Sequence, residues 1–135
     1  MVMVYIASAY TIGDTAENVK VQLDAADELM TLGYCPVVPL LTHFQHIHHP
    51  RPYEDWMLIG MEKIRRCDAV LRIPGESAGA DQEVELAISL GIPVVYSIEE
   101  LQKLDPHPLS SNKILKPLDC GGLPLNAQTG KIDIR

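Results

Sequence analysis

The residues with most to offer chemically sit in one short stretch, PGESAGADQEVELA, from Pro74 to Ala87. It holds four acids, Glu76, Asp81, Glu83 and Glu85, with Gly75, Ser77 and Gly79 among them. A carboxylate beside a pocket can serve as nucleophile or as general acid or base. A glycine and serine loop that opens a helix can offer backbone N–H groups and a hydroxyl to a phosphate or a sugar. The acids divide by position. Glu76 falls on the loop, and Asp81 lies early enough to cap the helix or favour its dipole. Glu83 and Glu85, two apart on a helix, face directions about 200° apart. Val84, Ala87, Ile88 and Gly91 mark the face expected against a sheet. Glu83 shares its side with Ala87, whereas Glu85 points to solvent. Spacing alone favours a bland account in which both are helix-start acids, each worth about 0.3 kcal/mol or a little more against the macrodipole.

A second cluster is THFQHIHHP, which carries His43, His46, His48 and His49. Neutral imidazoles are common metal ligands. No cysteine or acid completes a ligand set at a standard spacing, so no metal and no other cofactor is expected. Cys35, Cys67 and Cys120 are an odd count without CxxC spacing, which implies neither a disulfide framework nor a zinc knuckle. Cys35 and Cys67 adjoin apolar runs and read as small core residues, and Trp56, the single tryptophan, also reads as core.

The bulk numbers exclude several classes of function. A length of 135 residues suits one domain with a real hydrophobic core. The net charge of -7 argues against broad contact with nucleic acid, which needs clustered Lys and Arg. No apolar stretch approaches the roughly 18 residues of a membrane span, and MVMVYIASAY lacks the charged start of a signal peptide. A cytoplasmic protein without a membrane or nucleic-acid partner is expected.

These residues need a scaffold. Val2 to Ala7 is an apolar run without alternation, the pattern of a strand buried on both faces. Thr15 to Leu32 has helical spacing at Val19, Leu23, Ala26, Leu29 and Met30, with Asp14 and Glu17 spaced like a capping box and Gly33 ending the helix. Tyr34 to Leu40 predicts a second strand and Leu41 to Tyr53 an irregular loop. Glu54 to Arg66 predicts a helix with Trp56, Ile59 and Ile64 inward. Ala69 to Ile73 predicts a strand, Ala80 to Leu90 a helix, Ile92 to Ser97 a strand, and Ser97 the cap of a short helix. The alternation predicts a single-domain α/β fold, a Rossmann-like (flavodoxin-like) parallel sheet of four to five strands flanked by helices. It spans residues 1–104, and the proline-rich tail 105–135 is expected to be irregular. Ligands in such sheets bind outside the carboxyl ends of the strands. That singles out two loops, Ala7 to Asp14 and Pro74 to Ala80.

Residues 2–101 also resemble the nucleoside 2-deoxyribosyltransferase-like superfamily, and closely a small, mostly uncharacterised bacterial branch of it. The resemblance rests on YIASAYT, on PLLTHFQHIHHPRPYEDW and on RRCDAVLRIPGESAGADQEVELAISLGIPVVYSIEEL, in the expected order. It implies that Glu83 is a nucleophile attacking the anomeric carbon of a 2-deoxyribosyl group and that Tyr5 hydrogen-bonds it. Ser77 falls where members that hydrolyse nucleotides hold phosphate, and Ala7, Ser8, Ala9 and Tyr10 match the loop that closes over base and sugar. Gly75 and Gly79 flank that phosphate position. The histidine segment becomes a mobile lid over the base, with His43 and Phe44 stacking on it.

The implied activity is hydrolysis or transfer at the N-glycosidic bond of 2′-deoxynucleosides or their 5′-monophosphates, in a dimer or tetramer. One departure stands out. The family commonly has an aspartate where this chain has Gly60, and neither Asp55 nor Glu62 is in register to replace it. The alternative is therefore a protein that binds a nucleotide or a nucleotide signal without turnover.

Overall fold

The computed structural model describes residues 1–105. Four strands form one all-parallel sheet: β1 (Met3–Ala7), β2 (Cys35–Val37), β3 (Ala69–Arg72) and β4 (Val94–Val95), in the order β2-β1-β3-β4. Between them run the helices α1 (Thr15–Thr31), α2 (Thr42–His48), α3 (Tyr53–Ile64) and α4 (Ala78–Ser89), and α5 (Ile98–Leu104) follows β4. This is the α/β architecture expected from the alternation. Its topology reverses at β1, which pairs with β2 on one side and β3 on the other. The loops after β1 and β3 therefore open side by side, and a Cβ on Gly75 would lie 3.9 Å from that of Ala9.

Alternation along β1 divides the interior in two, because successive side chains leave opposite faces of a strand. Val4 and Ile6 join Ala26, Leu29, Tyr34, Leu71, Val95 and Leu101 in one cluster. Tyr5 and Ala7 join Ile64, Cys67, Val70, Ala80 and Ala87 in the other. Helices α1 and α5 contribute to the first, α3 and α4 to the second.

Several local expectations need correction. The segment expected as a loop from Leu41 to Tyr53 contains α2, preceded by a 3-10 turn over Pro39–Leu41. Helix α2 buries none of its residues, so no apolar stripe marked it. Both edge strands are shorter than their apolar runs. Pro39 opens the 3-10 turn after β2, and Ser97 leaves the sheet to accept a hydrogen bond from Glu100 N, 3.1 Å away, as cap of α5. Helix α1 buries Val19, Gln22, Ala26 and Leu29, whereas Leu23 and Met30, read as core, are 38% and 41% exposed. Val19, Ala26 and Leu29 are inside as expected, and Gln22 takes the place of Leu23 because it finds polar partners there. Ile59 and Ile88, also read as inward, are surface residues, and Gly60 and Glu83 lie inside on their helices. The tail assigned to 105–135 lies, past residue 105, outside the described residues.

Candidate active site

Tyr5 points from the middle of β1 toward α4 and is wholly buried. Glu83, one turn into α4, meets it: Tyr5 Oη donates to Glu83 Oε1 at 2.6 Å. Ala80, Glu83 and Ala87 form the buried stripe of that helix, and Glu85 is exposed. Removing a carboxylate from water disfavours its charged form, and burial pushes the Glu83 carboxyl up to about 7. The Tyr5 hydrogen bond and the Arg72 guanidinium pull the other way without cancelling burial. Burial and the neighbouring Glu83 charge raise Tyr5 well above the usual phenol range, so it remains a proton donor.

Helix α3 closes over this pair by way of Gly60, which is buried. A Cβ on Gly60 would lie 2.8 Å from Tyr5 Oη and 3.3 Å from Glu83 Oε1. The position read as a lost acid is therefore where the helix backbone touches the pair, and a side chain there displaces one or the other. Gly79 plays the matching part on α4. Its Cβ would lie 2.7 Å from Tyr53 Oη and 3.5 Å from Met57 Sδ. Gly79 was expected to ease the turn into the helix, but it lies inside α4 and makes room for α3.

The turn itself depends on Gly75, whose φ of +139° suits glycine alone. Arg72, at the end of β3, staples the loop from beneath. Its guanidinium donates to the carbonyl of Ile73, to the carbonyl of Gly75 at 2.8 Å and to Asp81 Oδ1 at 2.9 Å. Asp81 thus serves as a partner for Arg72, while the cap is Ser77, whose Oγ accepts from Ala80 N at 3.1 Å. Ser77 keeps its own O–H to donate.

On the far side of the cleft, Gln22 organises the loop after β1. Its Nε2 donates to Ile6 O at 3.0 Å and to Ser8 Oγ at 2.8 Å, and its Oε1 accepts from Leu40 N at 2.9 Å. Tyr10 Oη and His43 Nδ1 lie 2.6 Å apart, joining that loop to α2. One helical turn on, His46 Nδ1 accepts from Trp56 Nε1 at 2.9 Å and from Arg51 N at 3.4 Å. The histidines thus diverge to separate partners. Among the described residues no group of three His, Cys, Asp or Glu side chains is placed to hold a metal ion.

These walls enclose a cleft of about 400 Å³, within the roughly 300–1,000 Å³ of small-molecule sites. Of the residues singled out in the sequence, Tyr5, Ser8, Tyr10, His43, Ser77, Gly79 and Glu83 line it. Ala7, Ala9, Gly75 and Phe44 do not. Ala7 is packed in the core, Ala9 and Gly75 back onto one another, and Phe44 turns to solvent at 54% exposure. Phe44 therefore does not stack over the cleft. Trp56, expected in the core, lines the cleft instead, together with His46, Gln22, Arg51, Tyr53 and Lys63. No spacing rule finds these residues, because α2 carries no buried stripe and Gln22 takes its partners from other segments. Glu83 is the one carboxylate lining the cleft among the described residues.

With this geometry in place, likeness to known proteins can be judged. A family model described as a domain of unknown function, DUF4406, matches residues 2–96. No curated protein matches the chain in sequence. Among solved structures, a 2-deoxyribosyltransferase from the psychrotolerant bacterium Bacillus psychrosaccharolyticus is similar. It is 22% identical over 68% of this chain and 69% of that one, with a TM-score of 0.50. At this identity the likeness is one of fold, and the α/β fold that the sequence resemblance implied is the one the two proteins share.

Proposed function

The chain belongs to the DUF4406 family, and from its cleft we propose an enzyme that hydrolyses or transfers at the N-glycosidic bond of 2′-deoxynucleosides or their 5′-monophosphates. One observation carries this reading. A buried carboxylate, Glu83, is held at 2.6 Å by a tyrosine hydroxyl in the wall of a nucleoside-sized cleft. Burying a carboxylate is costly unless it is fully paired and hydrogen-bonded, and strongly shifted acids in clefts cluster at functional sites.

In this reading the ionised Glu83 attacks C1′. The C1′–N bond breaks through an oxocarbenium-like state, and its electron pair leaves with the base. Water, or a free nucleobase, then attacks C1′ of the glycosyl ester. The C1′–O bond breaks and the carboxylate is restored, the proton of the attacking water or of the base N–H passing to solvent. Tyr5 fixes the carboxylate beneath the sugar and stabilises the charge it regains. Ser77 and the first N–H groups of α4 take the phosphate, while Ser8, Tyr10 and His43 take sugar and base. Ala7, Ala9 and Gly75 shape the loops behind them.

Incubating the purified protein with each 2′-deoxynucleoside and 5′-monophosphate, and separating the free base by chromatography, tests this. Release is expected from the wild type and a fall on the order of 10⁴-fold in Glu83→Gln. Undiminished release in that variant overturns the role of Glu83. A second reading, nucleotide binding without turnover, is favoured by the lack of another carboxylate in the described cleft. Tight binding by calorimetry with no base released from any substrate selects it. The same reading includes self-association to at least a dimer, which light scattering measures.

A further inference from the structure

Breaking a C1′–N bond leaves negative charge on the departing base, and a neighbouring acid ordinarily relieves it. The described cleft holds no carboxylate besides Glu83, and a side chain at position 60 would run into Tyr5. Relief must therefore come from another kind of group, and the wall opposite α4 supplies one.

His46 Nδ1 accepts from two groups that can only donate, the indole N–H of Trp56 at 2.9 Å and the backbone N–H of Arg51 at 3.4 Å. The ring of Trp56 sits edge-on to His46, with centroids 5.7 Å apart and planes at 71°. A nitrogen that accepts from an N–H carries no proton, so the neutral ring must bear its hydrogen on Nε2. Nδ1 is occupied on the Trp56 side, and no described residue bonds Nε2. Both His46 and Trp56 line the cleft. His43 differs, because its partner is the Tyr10 hydroxyl, which can donate or accept and so leaves the tautomer open.

We infer that His46 is a substrate-contacting residue whose Nε2–H donates to an acceptor atom on the leaving base, a ring nitrogen or a carbonyl oxygen. Trp56 is the positioning residue that fixes the tautomer. The donor stabilises charge as the C1′–N bond lengthens and keeps its own proton, while the departed base takes a separate proton from water. This makes His46 the residue that selects bases presenting an acceptor toward α2. The inference rests on the proposed reaction, yet the tautomer can be read without it.

Two experiments test this together. With ring-¹⁵N-labelled histidine at pH 8, long-range nitrogen–proton correlation spectra of the full chain should show His46 as the Nε2–H form alone. Trp56→Phe should turn it into a mixture of tautomers. An Nδ1–H form in the wild type, or an unchanged form in Trp56→Phe, overturns the positioning. In base-release assays His46→Leu should lower kcat by about 10²–10³-fold with little change in KM. His46→Gln, whose amide N–H reaches the same place, should recover most of that loss. The deficit of His46→Leu should vanish on 2-deoxyribosyl fluoride, whose leaving group needs no donor. Equal losses in Leu and Gln variants, or a loss that persists on the fluoride, overturn the role. If the wild type releases no base at all, the proposed reaction fails, and titration with free nucleobases tests the donor by itself. The His46 Nε2–H resonance must then move in the wild type, and its failure to move overturns the contact.

Discussion

Strand β1 sends Val4 and Ile6 to one face of the sheet and Tyr5 and Ala7 to the other, and each face buries one polar helix residue against it. On the α1 side that residue is Gln22, wholly buried, uncharged, with its donors and acceptor all matched to β1, Ser8 and Leu40. On the α4 side it is Glu83, nearly as buried, ionisable, and held by a single tyrosine hydroxyl. Both are buried polar groups one turn or two into a helix, yet their energetics oppose one another. A fully matched amide stabilises the fold, since removing it strands its partners. A carboxylate kept from water by the same packing costs stability whenever it is charged. The first side chain maintains the loop after β1, and the second is poised in the cleft that the loop borders.

The sharpest break of this comparison is Gln22→Ala. It strands a carbonyl and an amide and opens a cavity, and chemical denaturation should show a loss of roughly 3–5 kcal/mol at any pH between 5 and 8. Glu83→Gln should do the reverse. Burial raises the folded-state pKa from 4.5 to about 7, so folding takes up a proton in that interval. The stability associated with the protonated acid is full below pH 4.5 and is lost as pH rises through 7. Glu83→Gln should therefore be more stable than the wild type by about 3 kcal/mol at pH 8 and indistinguishable from it near pH 4.5. A pH-independent difference would show that Glu83 resembles Gln22 after all. Activity, needing the ionised acid, should instead climb with pH through about 7 in a pH–rate profile.

Gly60→Ala is a smaller perturbation. About 1 kcal/mol of helix propensity is regained, but the new methyl pushes into Tyr5 Oη, for a net cost of about 1–2 kcal/mol. Base release should fall further than stability does, because the Tyr5–Glu83 contact is what moves. The smallest effect is expected of Lys20→Ala, which breaks an exposed pair with Asp24 on α1. Its thermal midpoint should match the wild type within error, since such pairs are weak and screened.

Part of the cleft was legible in the chain. Helical spacing placed Glu83 toward the sheet and Glu85 toward solvent, and the resemblance matched Tyr5 to it. Gln22 was passed over because a polarity count scores it as surface, although partners in three other segments reward its burial. The sequence puts His46 in a lid segment and Trp56 in the core but does not bring the two together, because α2 has no apolar stripe and nothing local announces that it stands against α3. Gly60 was read as a missing acid, whereas its value lies in what a methyl there would strike.

The α/β alternation, the parallel sheet and the helix that carries Glu83 follow from hydrophobic runs, turn residues and periodicity, which act between neighbours in the chain. Tertiary structure decided the rest. Tyr5 and Glu83 stand 78 residues apart and share a hydrogen bond, and burial, to which α3 contributes through Gly60, makes Glu83 a weaker acid than an exposed glutamate. The Nε2–H of His46 is set by Trp56 in the same way. Desolvation and tautomer are properties of what packs against a side chain, and that is fixed only when separate elements meet.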